Sequence, residues 1–307
     1  MAEITFHGER FLEVEHGSAR IFVDPVFGQT RRGRRTRGTT RSCDYVLVTA
    51  EGASLDHFDD ALDVLEDHEQ ATLVGSMAVC RDARRELRIA RDRTVDLEPF
   101  ERAGDGEVRI TAVPLVQPTP ASSGLAFMES VGETLEAELG RALSRGPLAA
   151  LPTRGLRSLV RLPTAGAFGG PTVGEPALGF LVEVGGSSIA LLGQGIHDAT
   201  DERDLEDLAS LGALDVVAFE AVGSIGSVVR AVRILEPKHV LMYRGHDPYG
   251  RGRRALALRG ADVPVSSYVD AIGEDQGREV EARVLRPGDR VTVRGDAAQT
   301  TTEARPS

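Results

Sequence analysis

Apolar and polar residues alternate along ITFHG (4–8), RFLEVEHG (10–17) and ARIFVDP (19–25), a period of two that predicts three strands, each with one buried face. HGS turns the chain between the second and third, and Asp24-Pro25 closes the third. The pattern then changes. VLVTAEGASLDHFDDALDVL (46–65) begins as a continuously apolar strand and ends with apolar residues at the spacing of an amphipathic helix. The loop between them carries Asp56 and His57 and little else able to do chemistry. ATLVGS (71–76) predicts another strand and MAVCRDARREL (77–87) a short helix. RTVDLEP (93–99) and EVRITAVPLVQ (107–117) return to strand.

Residues 120–172 break this rhythm. ESVGETLEAELGRALSRGPLAALPTRGLRSLVRLP reads as two short amphipathic helices divided by Gly146-Pro147 and Pro152, followed by the glycine-rich AGAFGGPTVGEP. Strands resume in ALGFLVEVGGSSIALLGQG (177–195), a hairpin turning at Gly185-Gly186. DERDLEDLASL predicts a helix, DVVAFEA a strand, SIGSVVRAVRIL a helix and HVLMYR a strand. RRALALRG predicts a short helix, and VEARVLRPGDRVTV a closing hairpin. Strands, strand–helix units, an insert, then strands and strand–helix units again imply two packed mixed β-sheets with helices on both outer faces. This is an α/β fold of αββα type built from two similar halves. One domain over 1–295, with a helical insert at about 120–172 and a disordered tail at 296–307, accommodates the whole pattern.

Composition narrows the function. The 307 residues suffice for a substantial core, and a net charge of −11 argues against a surface built for nucleic acid or membrane. No segment approaches the roughly 20 apolar residues that span a bilayer. Cys43 and Cys80 make neither a disulfide framework nor a zinc spacing, and MAEITFHGERF lacks the form of a signal peptide. A cytoplasmic protein with buried, inert thiols is expected.

ARIFVDPVF (19–27), DYVLVT (44–49), DHFDDAL (56–62), ITAVPLVQ (110–117), GFLVEVGGSSIALLGQG (179–195), DVVAFEAVG (215–223) and VVRAVRILEPKHVLMYRGHD (228–247) occur in an order that resembles the metallo-β-lactamase superfamily. The likeness is to its ascorbate-phosphate lactonase-like and N-acylphosphatidylethanolamine phospholipase D-like branch. That resemblance implies the αββα sandwich and a site of two metal ions bridged by hydroxide, held by an HxHxDH loop, two later histidines and a bridging Asp. With Asp56-His57 as the family's DH, the two preceding histidines fall on Gly52 and Ser54, and the third on or beside Gln117. The bridging Asp falls on Gln194. The C-terminal histidine falls on or near Arg244, with His246 two residues beyond. An ungapped register puts Ala50, Gly52, Ser54 and Leu55 on the loop positions and equally removes the imidazoles. Neither Gly, Ser nor neutral Gln replaces an imidazole or carboxylate around a divalent ion.

The surviving residues each admit two readings. Asp56 and His57 are a general-base dyad or half of a single-metal site; alternatively Asp56 simply caps a helix starting at His57. His246 completes one ion with them, with Gln194 or water as fourth ligand, or lies on a surface loop. Arg244 clamps a carboxylate or phosphate, or pairs with Asp247 at a strand end. His197 faces the pocket or solvent. Glu220 ends a strand at the same edge as the nearest remaining carboxylate. Gln117 and Gln194 line a hydrated cavity. Asp24 matches a family position that braces the metal loop. The six arginines of residues 31–41 steer anions toward the cleft or form a solvated loop. The 120–172 insert serves as a lid, a homodimer element or a surface for a protein partner.

Three functions follow from these readings. The first is a metal-independent enzyme or binding protein for a small anionic metabolite, accessory to a biosynthetic pathway and requiring no cofactor. The second is a catalytically dead scaffold acting through the insert. The third is a single-metal hydrolase of lactonase or phosphodiesterase type using Asp56, His57 and His246.

Overall fold

A computed structural model describes residues 1–8, 10–26, 42–49, 55–87, 89–115, 177–193, 195–196, 200–221, 224–244, 264–275 and 280–294; for Leu55, Asp56, His57 and Asp59 it describes the backbone alone. The arginine loop, the 120–172 insert, the short helix expected at 253–260 and the tail lie outside the described residues.

Fourteen strands among the described residues make two sheets of seven. In chain order they are β1 (Ala2–Gly8), β2 (Phe11–His16), β3 (Ala19–Val23), β4 (Tyr45–Leu47), β5 (Thr72–Gly75), β6 (Thr94–Asp96) and β7 (Arg102–Asp105). β8 (Val108–Leu115), β9 (Ala177–Val184), β10 (Ser187–Leu191), β11 (Val216–Glu220), β12 (His239–Tyr243), β13 (Glu281–Val284) and β14 (Arg290–Val293) follow. Among the described residues the α-helices are α1 (Leu55–Asp67), α2 (Met77–Leu87), α3 (Glu202–Ser210), α4 (Ile225–Leu235) and α5 (Val265–Asp275).

The sheets share one plan. The first runs β14-β1-β2-β3-β4-β5-β6 and the second β7-β8-β9-β10-β11-β12-β13. Each makes three antiparallel pairings and then three parallel ones. The repetition reaches single hydrogen bonds. Asp44, just before β4, accepts the Arg20 N–H on its carboxylate at 2.8 Å, and Asp215, just before β11, accepts the Ser188 N–H at 2.9 Å. Each aspartate also donates its own N–H to the same residue's carbonyl, at 2.9 and 3.0 Å. Two aspartates in equivalent places fix the start of equivalent parallel strands.

Between the sheets lies one apolar layer that includes Phe6, Leu12, Val14, Phe180, Val182, Ile189 and Tyr243. α1 and α2 cover the outer face of the first sheet over Val46, Leu65, Leu73, Cys43 and Cys80. α3, α4 and α5 cover the second over Val217, Phe219, Val232 and Ile272. This is the α/β sandwich expected from the order of elements. No helix among the described residues is long and apolar enough to cross a membrane.

Four details correct the sequence reading. α1 begins at Leu55, so Asp56 lies within its first turn and the cap position falls on Ser54, outside the described residues. β7 was not expected, because Arg-Ala-Gly-Asp is a polar, largely exposed edge strand with no alternating apolar face. α5 was not expected either: among serines and a glycine, only Tyr268 and Ile272, four residues apart, form its buried stripe. The segment 280–293 is not a hairpin. β13 pairs with β12 in the second sheet and β14 with β1 in the first, so Arg286–Asp289 carries the chain across the sandwich. Phe6 holds that crossover, donating to Asp289 O at 3.0 Å and accepting from Gly288 N at 2.7 Å.

Candidate active site

Parallel strands end together, and in α/β folds the residues that do chemistry gather where they end. Here the exits of β3, β4, β10, β11 and β12 converge on a buried polar cluster. Asp24 follows β3 in a left-handed conformation (φ 45°), which Asp tolerates better than most side chains. Its N–H donates to Leu47 O at 2.9 Å. Its Oδ1 accepts the Thr49 N–H at 2.7 Å, and its Oδ2 is paired with the Thr49 hydroxyl. The chain leaving β4 is thereby tied to the chain leaving β3, immediately before the loop that leads to Asp56 and His57.

The second sheet meets this brace through a glycine. Gly193 (φ 52°) sits so close to Thr49 that a Cβ on it would stand 2.5 Å from Oγ1. Its carbonyl accepts the Glu220 N–H at 2.7 Å. Glu220, the last residue of β11, is buried, and its Oε2 accepts from Nε of Arg10 at 2.8 Å. Arg10 comes from the turn between β1 and β2, so this ion pair joins the two sheets. Tyr243 ends β12 beneath the cluster, its ring 5.1 Å from that of Phe6. Burial pushes the Asp24 carboxyl above its ordinary range, against the Thr49 hydrogen bonds and the Arg10 charge that pull it down. Burial also pushes the Tyr243 phenol well up, so it stays protonated.

Of the residues singled out from the sequence, Glu220 and Arg244 come together. Glu220 is in register with Tyr243, so exposed Arg244 begins the loop one position beyond, at the same edge. Asp56 and His57 occupy the first turn of α1. Gln117, Gln194, His197 and His246 lie outside the described residues. The segments leading to both glutamines are neighbours, because the Leu115 side chain at the end of β8 packs against Gly195. Among the described residues no three His, Cys, Asp or Glu side chains gather in a metal-binding group. The sequence reading missed Arg10, Thr49, Gly193 and Tyr243 as parts of this edge. Arg10 reads as an ordinary turn residue, and its partner is 210 positions away.

No family model and no curated protein sequence matches the chain. Solved structures do. Igni18, a metallo hydrolase from Ignicoccus hospitalis, is 14% identical with a TM-score of 0.59, over 94% of this chain and 97% of its own. YhfI from Bacillus subtilis, a metallo-β-lactamase fold protein, is 9% identical with a TM-score of 0.51, over 94% and 98%. CmlA from Streptomyces venezuelae, a diiron β-hydroxylase, is 12% identical with a TM-score of 0.59 over 98% of this chain, which spans 54% of CmlA. At such identities the likeness is one of architecture, and the architecture is the metallo-β-lactamase fold.

Proposed function

We propose that this metallo-β-lactamase-fold chain has exchanged a pair of metal ions for a fixed cation, and that its cleft receives a small anionic metabolite. Arg244 carries the reading. It stands directly after β12, exposed, on or near the position where the family resemblance implies a metal-binding histidine. A guanidinium stays charged at every physiological pH, repels a divalent cation, and presents a planar fork that matches a carboxylate or phosphate. The donor set points the same way. Apart from Asp56 and His57, the remaining ligand positions fall on Gly52, Ser54, Gln194 and on or beside Gln117, none of which brings a charge to offset an ion. The described carboxylates closest to these strand ends are engaged, Asp24 with Thr49 and Glu220 with Arg10. These residues do not fit a bridged dinuclear centre, and no step is assigned to one.

In this reading Arg244 holds the anion while His57, with Asp56 beside it in sequence, moves a proton to or from the bound molecule. Gln117 and Gln194 would supply neutral hydrogen bonds around it. Two measurements on the full chain test the proposal. Protein purified without chelator is expected to hold below about a tenth of an equivalent of zinc, manganese or iron. Inorganic phosphate, titrated calorimetrically, is expected to bind, with Arg244→Ala weakening it on the order of tenfold or more. Two equivalents of metal would overturn the proposal. One equivalent, lost on replacing His57 and His246, would replace it with a single-metal hydrolase. Unchanged phosphate affinity in Arg244→Ala would remove the clamp.

A further inference from the structure

Among the described residues, the buried cluster at the strand exits contains more acid than base. Asp24 is 2% exposed, Glu220 3%, Arg10 6% and Tyr243 1%. Facing Asp24 among the described residues are Arg10 from the β1–β2 turn, Thr49 from the end of β4, Glu220 from β11 and Tyr243 from β12. One guanidinium therefore serves two carboxyls, and it donates its Nε–H to Glu220. Counted over these described residues, both carboxyls ionised leave a net charge of −1 in a buried setting, a state that burial penalises. A single proton makes it neutral.

Geometry selects where that proton sits. Glu220 has the guanidinium of Arg10 at 2.8 Å, a direct charge-assisted contact. Asp24 has no cation in such contact. Its Oδ1 takes the Thr49 N–H, and its Oδ2 faces a hydroxyl that accepts as readily as it donates.

We infer that Asp24 is a neutral carboxylic acid in the folded protein at neutral pH, its Oδ2–H donated to Thr49 Oγ1. In this role Asp24 is a positioning residue. It turns the hydroxyl hydrogen of Thr49 away from the carboxyl and fixes the exit of β4 without placing an unbalanced charge beside the Arg10–Glu220 pair. The direction of the Asp24 shift, driven first by burial, agrees. The inference does not depend on whether the cleft holds a metal or an anion.

Linkage gives the sign of the test. A carboxyl whose folded pKa exceeds its unfolded one contributes stability below the unfolded value, and that contribution is lost as pH rises through the folded value. Asp24→Asn is the informative variant. An amide tolerates the left-handed backbone, accepts the Thr49 N–H through its oxygen, and donates to Oγ1 as the acid would. Urea midpoints of the full chain and Asp24→Asn, compared from about pH 4 to about pH 9, are expected to diverge, the wild type losing ground to the variant as pH rises. Infrared spectra of the wild type at neutral pH are expected to show a protonated-acid carbonyl band that Asp24→Asn lacks. Glu220→Gln, which removes a neighbouring negative charge, is expected to move the disappearance of that band to lower pH.

A midpoint difference that stays flat above about pH 5, together with no acid band at neutral pH, would overturn the inference. So would a band that vanishes in Glu220→Gln and persists in Asp24→Asn, because the proton would then sit on Glu220. If Asp24→Asn does not fold, Glu220→Gln decides alone: a band that it moves to lower pH supports the inference, and one that it abolishes down to about pH 5 overturns it.

Discussion

Arg10 and Glu220 show how a single residue can matter to the fold more than to chemistry. Their side chains are 7% and 4% exposed, and the Nε to Oε2 distance is 2.8 Å. A pair so buried owes little net stability to its attraction, because desolvating two charges offsets most of it. Removing one partner is another matter, since the other charge stays behind without its counter-ion. Arg10→Met is therefore expected to cost about 3–5 kcal/mol in urea unfolding. The double replacement Arg10→Met with Glu220→Leu is expected to recover most of that loss, a strongly non-additive cycle. A double variant as unstable as the sum of the singles would contradict this account. Glu220 is thus the clearest case in which position and role separate: its place at the end of β11 was legible, and its burial against Arg10 was not.

Elements were legible where their own period announced them. β1 and β2 alternate, β3, β9 and β10 are short apolar runs, and α1, α2, α3 and α4 carry apolar stripes, so their local pattern agrees with their tertiary setting. What was missed lacks a local signature. β7 is held as the edge of the second sheet by pairing with β8, and its Arg, Gly and Asp bring no apolar face of their own. The final two strands look like a hairpin because RPGD is a good turn, yet Val291 and Val293 are buried in the layer shared with Phe6, which calls β14 to the other sheet. The site followed the same rule. Asp24 and Arg244 stand at strand ends and can be placed by counting. Arg10, Thr49, Gly193 and Tyr243 become part of an edge only when two sheets are stacked. Helix starts at this edge are also tunable. Ser224 caps α4, its hydroxyl accepting the Ser227 N–H at 3.2 Å right after the exit of β11. Ser224→Ala is expected to cost about 1 kcal/mol in urea unfolding and Ser224→Asp to retain the cap. Equal losses in the two variants would mean that the serine packs there and does not cap.

On the scale of the molecule, the duplicated plan raises the question of whether the halves unfold separately. The two halves have separate outer layers, but their inner faces form one continuous apolar layer with residues from both sheets. β14 deepens the dependence, since the last strand of the chain completes the first sheet. Neither half can bury its inner face alone, so the transition should be cooperative. The two cysteines make this measurable because both lie under α1 and α2 in the first half. Burial pushes each thiol up to about 12, and the thiolate is the reactive form. In the native protein both are expected to resist iodoacetamide at mildly alkaline pH. With increasing urea, their labelling should rise in step with the loss of far-ultraviolet circular dichroism, which reports on both halves. Labelling well before that transition would show the α1–α2 layer opening by itself.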